Sequence, residues 1–255
     1  MTDQELKIFL DEKYQLYNQP RFIETDPISI PRLFSRKEDI EIAGFLAATI
    51  AWGQRPTIIR NAHRLMDWME YRPYEFIMRS EEGAFDRFGD FVHRTFNGID
   101  CLYFLHALRE IYRNEGGLEA LFTAGFQHGG NMMAGIVRFR EQFLSYRPEV
   151  RTSKHVANPA KGSSAKRINM FLRWMVRDKR QGVDFGLWKN IPASALMMPL
   201  DVHSGNVARK LGLLKRKQDD WKAVDELTTR LREFDEEDPV KYDFALFGLG
   251  VFEKF

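Results

Sequence analysis

The sequence predicts an all-α fold, because apolar side chains recur at helical spacing along most of the chain and no segment alternates as a strand does. The apolar fraction of 44% and the aromatic fraction of 13% are typical of a protein with a large buried core. We therefore expect an ordered protein with about ten helices.

Polar residues mark where several of these helices begin. Ser35 precedes Glu38 at the spacing of a capping box. Asn97 precedes a helical pattern that stops at the glycines of 116–117. Asp238 and the proline after it predict a further helix start. Other helical patterns cover residues 58–69, 132–146, 165–177 and 219–234.

The charges are unevenly distributed along the chain. Residues 147–217 contain 16 Lys or Arg against 4 Asp or Glu, a balance of +12, whereas the remainder contains 22 against 32, a balance of −10. Such segregation favours a surface that binds a polyanion. The least regular stretch, residues 147–165, predicts a basic loop.

Several classes of protein are disfavoured. The single cysteine, Cys101, excludes an internal disulfide and a four-cysteine metal centre. The charged N-terminus is atypical of a signal peptide, and no apolar run has the ~18 residues that span a bilayer. We expect a cytoplasmic protein with no membrane partner, no metal and no cofactor.

Two fragments in and near the basic segment carry motifs. They are GSSAKRINMFLRW at residues 162–174 and PLDVHSGNVARKLGL at residues 199–213. Together they resemble the helix-hairpin-helix DNA glycosylase superfamily, which includes endonuclease III and the 8-oxoguanine glycosylases. Lys166 matches the lysine of that family's hairpin motif, and Asp201 matches its downstream aspartate.

The resemblance implies a two-lobed, all-α, helix-hairpin-helix fold over residues 1–255, with residues 1–35 as an N-terminal extension. It also implies excision of a damaged base that has been flipped out of duplex DNA. Asp201 would stabilise positive charge on the sugar carbon C1′. Lys166 would attack C1′ and form a Schiff base, which would add AP-lyase activity.

Other residues are candidates for contact with DNA. Residues 47–66 are similar to the family's early helix pair, in which a turn residue fills the gap left by the flipped base. The candidates for contact with the strands or the orphaned base are Gln54, Arg55, Lys154, Lys161, Arg167, His203 and Arg209. Trp52 and Trp174 are candidates for stacking on the base, although core packing would equally explain Trp174.

The match departs from the family pattern in two places. Ser164 occupies the position of the second hairpin glycine. The interval of 35 residues between Lys166 and Asp201 is similar to that of the archaeal 8-oxoguanine glycosylases, so an oxidised purine such as 8-oxoguanine is the expected lesion. Two alternatives stay open, namely a non-catalytic helix-hairpin-helix protein that binds nucleic acid and a helical protein that binds an acidic partner. A cap-only role for Asp201 also stays open.

Overall fold

A computed structural model describes residues 1–146, 151–178 and 182–255. The first four residues of the predicted basic loop, 147–150, lie outside the described residues. The all-α prediction is confirmed, because helices account for most of the described chain. The eleven α-helices are α1 (Asp3–Tyr17), α2 (Lys37–Thr49), α3 (Arg55–Trp68), α4 (Pro73–Arg79), α5 (Gly98–Asn114), α6 (Leu118–Gly129), α7 (Met132–Ser145), α8 (Lys166–Val176), α9 (Val202–Lys210), α10 (Trp221–Arg232) and α11 (Tyr242–Gly248).

Short elements connect these helices. Two strands, β1 (Val92–His93) and β2 (Phe96–Asn97), pair antiparallel as a small hairpin, with His93 opposite Phe96. A π-helical turn, Leu249–Glu253, follows α11. The 3-10 helices are Pro20–Thr25, Pro27–Ser29, Pro31–Leu33, Glu82–Asp90, Thr152–His155, Pro159–Lys161, Ala193–Ala195 and Pro239–Lys241.

The chain divides into two compact units. The terminal unit consists of Met1–Ile23 and Asn158–Phe255, and the central unit consists of Glu24–Ala157. In the terminal unit, α11 packs against both α1 and α9. In the central unit, α6 packs against α7, and α2 contacts α3 and α4.

The first helix of the predicted N-terminal extension, residues 1–35, packs within the terminal unit. Leu6 and Leu10 of α1 are buried. The hydroxyl of Tyr242 in α11 donates to Oδ1 of Asp11 at 3.0 Å. The amphipathic α1 is therefore part of the terminal unit, because its apolar face is covered by α11.

Two of the predicted helix starts differ in detail. Arg36 is the N-cap of α2, and its Nε donates to Glu38 at 2.9 Å, so the predicted capping box between Ser35 and Glu38 is wrong. Asn97 caps α5 as predicted and accepts from the backbone N–H of Asp100. The segment after Asp238 begins with a 3-10 turn, and α11 starts only at Tyr242.

No helix of the described residues is both long and apolar enough to cross a membrane.

Candidate active site

Lys166 and Asp201, which are distant in sequence, lie side by side in the terminal unit. Nζ of Lys166 is 3.1 Å from Oδ2 of Asp201. The two side chains are 28% and 21% exposed, so each remains accessible from solvent. The first residue of α8 and the N-cap residue of α9 therefore form an ion pair at the surface of this unit.

The two oxygens of Asp201 have different partners. Oδ1 accepts from the backbone N–H groups of His203 and Ser204 at 2.9 and 3.0 Å, whereas Oδ2 faces Lys166. The Ser204 hydroxyl in turn accepts from the backbone N–H of Asp201, which completes a capping box. Asp201 is thus a helix cap, and its second oxygen is still directed at the amine.

The electrostatic surroundings keep Asp201 ionised. Burial opposes the charged carboxylate, but the charge of Lys166 and the backbone hydrogen bond from Ser204 outweigh it. The pKa of Asp201 is consequently lower than that of an ordinary aspartate. A negative charge is held at this position at neutral pH.

An apolar segment immediately before Asp201 anchors it. Leu196, Met198 and Leu200 are almost completely buried. The backbone N–H of Met198 donates to the hydroxyl of Thr228 in α10 at 3.1 Å. Because this segment is buried and hydrogen-bonded, the position of Asp201 is determined by the core of the terminal unit.

The turn before Lys166 differs from a helical hairpin. A single 3-10 turn, Pro159–Lys161, precedes it, and Ser163 forms an isolated β-bridge with Asp220. Gly162 has a φ of +88°, which glycine adopts easily, and Ala165 has a φ of +50°, which is strained for a residue with a Cβ. The turn therefore places Lys166 at the start of α8 at some conformational cost.

A buried ion network, which the sequence patterns did not indicate, lies on the same helix as Lys166. Arg173 in α8 pairs with Asp243 of α11 and, at 3.3 Å, with Asp184. Arg177 pairs with Asp184 and, at 2.8 Å, with Asp238. Arg173 follows Lys166 by two helical turns, so the network and the pair occupy the same side of α8.

Asp243 links this network electrostatically to the Lys166–Asp201 pair. Burial raises the pKa of Asp243 to about 6; the charge of Arg173 opposes this rise, and the negative charge of Asp201 adds to it. Asp243 is a single acid in the otherwise apolar sequence of α11. An isolated charge in a buried helix was the available sequence signal for this residue.

Two residues that were predicted to contact DNA or a base are engaged within the terminal unit. Trp174 is fully buried, which contradicts its predicted place in a base pocket because its ring has no exposed face. Nη2 of Arg209 pairs with Asp219, and its Nε donates to the carbonyl of Arg216 at 2.7 Å. Arg209 is thus engaged in fixing the segment after α9.

The other candidates of this unit lie nearer to solvent. Lys161 and His203 are exposed. Arg167 is half-buried, and burial lowers its pKa to about 10, which leaves the guanidinium positive at neutral pH. These three residues remain candidates for phosphate contacts.

Part of the positive charge counted between residues 147 and 217 is neutralised by acids. Arg173 and Arg177 are buried in ion pairs, and Arg216 pairs with Asp220 just outside that segment. The net charge of the segment therefore overstates the charge of its surface.

The remaining candidates belong to the central unit. Gln54 is exposed at the N-cap of α3, Arg55 is half-buried, and Lys154 is exposed. Trp52 is half-buried, and its ring meets the edge of His93 at 5.0 Å and lies against His155 at 6.0 Å.

Sequence reasoning missed a partly buried chain of hydrogen bonds beside Trp52. Nδ2 of Asn61 is 2.9 Å from Nδ1 of His93, and Nε2 of His93 is 3.1 Å from the carbonyl oxygen of Trp52. The resemblance over residues 47–66 had indicated this region, but the histidine is supplied by the β-hairpin.

Other types of site find little support in the described residues. They contain no group of three or more His, Cys, Asp or Glu side chains arranged to hold a metal ion. Cys101 is completely buried, and burial raises the pKa of its thiol far above the ordinary value, so it is unsuited to nucleophilic attack.

Comparison with curated proteins and with solved structures gave no match. A family model described as a protein of unknown function (DUF2400) matches residues 26–252, which includes Lys166, Asp201, Asp243 and the turn at Trp52. The chain therefore belongs to the DUF2400 family.

Proposed function

We propose that this protein is a DNA glycosylase that excises an oxidised purine such as 8-oxoguanine, with an associated AP-lyase activity. The observation that carries the proposal is the distance of 3.1 Å between Nζ of Lys166 and Oδ2 of Asp201. An amine and a carboxylate that are both partly exposed and adjacent can act on the same sugar carbon.

In this mechanism the two residues have separate roles. Lys166 must lose a proton to water before its nitrogen can attack C1′, and Asp201, which lies 3.1 Å away and has a lowered pKa, stays ionised beside it. Attack forms the bond from nitrogen to C1′ as the bond to the base breaks, and the base leaves with the electron pair. The anionic Asp201 then stabilises the positive charge that develops on the sugar.

The capping role of Asp201 supports the alternative, a non-catalytic helix-hairpin-helix protein that binds nucleic acid. Oδ1 already satisfies two backbone N–H groups of α9, and this role alone would explain an aspartate there. The experiment must therefore separate the charge of this side chain from its function as a cap.

Borohydride trapping on duplex DNA that contains 8-oxoguanine tests the proposal. We expect the wild-type chain to form a covalent adduct and Lys166→Gln to form none. Lys222→Gln is the matched control, because it removes an exposed lysine of α10 in the same unit that is not among the candidate DNA contacts, and it should leave the adduct unchanged.

Asp201→Asn separates catalysis from capping. Asparagine is also a good N-cap, so α9 should keep its stability while the negative charge is lost. We expect the rate of base excision to fall by about 100-fold or more with an unchanged melting temperature. The non-catalytic alternative would be favoured if the wild type bound DNA but released no base from this lesion and formed no adduct with it or with an abasic site.

A further inference from the structure

Three short segments of the central unit contact one another around Trp52, and we call residues 52–55, 92–97 and 151–155 the Trp52 surface. The β-hairpin contacts the first segment through His93, whose Nε2 is 3.1 Å from the carbonyl oxygen of Trp52. Arg94 covers Gly53 so closely that a Cβ on Gly53 would lie 3.1 Å from its Nη1.

The third segment contacts both of the others. Nη2 of Arg151 donates to the carbonyl of Thr95 in the hairpin turn at 3.0 Å. The ring of His155 lies against that of Trp52 at a centroid distance of 6.0 Å and an angle of 25°. Each segment is therefore held by the other two, although they are far apart in sequence.

The buried carboxylate of Asp100 joins two of these segments, the β-hairpin and residues 151–155. Its Oδ2 accepts from the backbone N–H of Asn97 and from Nη2 of Arg151, both at 3.0 Å. Its Oδ1 accepts from the hydroxyl of Thr152 at 2.9 Å, and Nε2 of His155 lies 3.2 Å from Oδ2. A buried carboxylate is costly unless it is paired and hydrogen-bonded, and here these partners all lie on the Trp52 surface.

The outward charge of this surface is positive. The three segments contain the cations Arg55, Arg94, Arg151 and Lys154 and no Asp or Glu. Arg94 and Lys154 are exposed, and the side chain of Arg151 is 39% exposed. Asp100 is completely buried, so its negative charge orders the segments from inside.

We propose that the Trp52 surface binds the phosphodiester backbone of duplex DNA and that Asp100 is the positioning residue that preforms it. This inference rests on the proposed function, since it supplies the strand contacts that an excision site needs. Spaced cations around a half-buried aromatic ring fit a strand of phosphates and bases. A surface already ordered by Asp100 avoids the entropic cost of ordering on binding.

The test is equilibrium binding of the full chain to an undamaged fluorescent duplex, measured by anisotropy over a range of salt concentrations. Arg94→Ala/Lys154→Ala removes two exposed cations. Alanine keeps a Cβ at position 94, where φ is +55°. We expect weaker binding and a log–log salt slope that is smaller by about 1 for each phosphate that the variant no longer neutralises.

A matched control makes the same change in net charge elsewhere in the central unit. Arg79→Ala/Arg113→Ala removes two exposed arginines of α4 and α5, whose acidic partners are Glu75 and Glu110. We expect its salt slope to equal that of the wild type. Equal slopes for both double variants and the wild type would overturn the inference.

Asp100→Asn tests the positioning role. We expect a smaller salt slope together with an altered emission from Trp52, identified as the emission that Trp52→Phe removes. Unchanged emission and slope in a folded Asp100→Asn would contradict this role. If that variant does not fold, the alanine double variant and its control still decide whether the surface binds DNA.

The outcomes distinguish this inference from the proposed function. If the wild type binds duplex DNA and its log–log salt slope equals that of the Arg94/Lys154 variant, the inference about the Trp52 surface is refuted and the proposed function is not. A wild-type chain that binds no duplex DNA refutes the proposed function and this inference together. Polyglutamate that competes as strongly as DNA would instead assign the surface to an acidic protein partner.

Discussion

The two units share aromatic packing and differ in the charged side chains buried beside it. In the central unit, Phe104 stacks on Phe45 at 5.6 Å and meets Phe143 edge-on at 4.7 Å. In the terminal unit, Phe171 meets Trp188 edge-on at 5.5 Å, and Arg173 and Arg177 are also buried in ion pairs with acidic side chains.

The difference is informative because apolar packing and buried charges contribute differently to the free energy of folding. Apolar packing is favourable wherever surfaces match, whereas buried charges lose hydration and are stable only when every partner is in place. The charged interior is on the same helix as Lys166, and Asp243 lies within electrostatic range of Asp201. We infer that the network holds α8 and α11 in a fixed relation and so orients the pair.

The largest expected effect comes from breaking this network. Arg177→Ala leaves the carboxylates of Asp184 and Asp238 without their guanidinium partner. We expect the free energy of unfolding to fall by about 3–5 kcal/mol, measured by urea denaturation. In Arg79→Ala, which removes an exposed pair with Glu75, the change should be about 1 kcal/mol or less. Similar losses in both variants would contradict the comparison.

A smaller effect is expected from disturbing the packing of the central unit. A Cβ on Gly98, the first residue of α5, would lie 1.8 Å from the carbonyl oxygen of Gly89. Gly98→Ala should therefore lower the free energy of unfolding by about 1–3 kcal/mol, because the backbone must move. Gly89→Ala, whose Cβ would have no neighbour within 4 Å, is the control and should be tolerated.

The pH dependence of stability should report on the buried ion network of the terminal unit. Burial raises the pKa of Asp243 from 3.8 to about 6, so the folded state binds its proton more tightly than the unfolded state. Its contribution to the free energy of unfolding is then complete below pH 3.8 and is lost as the pH rises through about 6.

The variant Asp243→Asn isolates that contribution. We expect the wild-type minus variant difference in unfolding free energy to decrease with pH across this window and to be constant at higher pH. Denaturant titrations of both proteins at several pH values measure it. A difference that does not vary with pH would show that Asp243 does not titrate there.

The smallest expected effect concerns the turn before Lys166. Ala165 has a φ of +50°, which glycine adopts without the steric cost of a Cβ. Ala165→Gly should raise the free energy of unfolding by about 0.5–1 kcal/mol, measured as a higher melting temperature. A lower melting temperature would show that the backbone entropy of glycine outweighs the strain.

Much of the helical architecture could be predicted from local patterns. The cap at Asn97 and the helix that ends before the glycines of 116–117 follow from side chains adjacent in sequence. The start of α2 was predicted incorrectly because Arg36, rather than Ser35, occupies the N-cap and binds Glu38. The capping-box spacing does not show that a neighbouring arginine can bind the same glutamate carboxylate.

The candidate site could be predicted in part. Lys166 and Asp201 were identified from a motif, and the structure brings them to 3.1 Å. The motif could not tell which cations pair with acids, which is why Arg209 was expected to contact a DNA strand and instead pairs with Asp219. Trp174 was also misassigned, because helical spacing does not tell which side of α8 is covered.

The sequence by itself determined the all-α class, most of the helices and the identity of the lysine and the aspartate that pair in the structure. These properties depend on interactions within a few residues, or on a motif. Only the tertiary structure decided which charges are neutralised, that Asp243 lies near the pair and that Asp100 joins the β-hairpin to residues 151–155 beside Trp52. Those contacts join residues that are remote along the chain, and their free energy depends on burial, which no local pattern specifies.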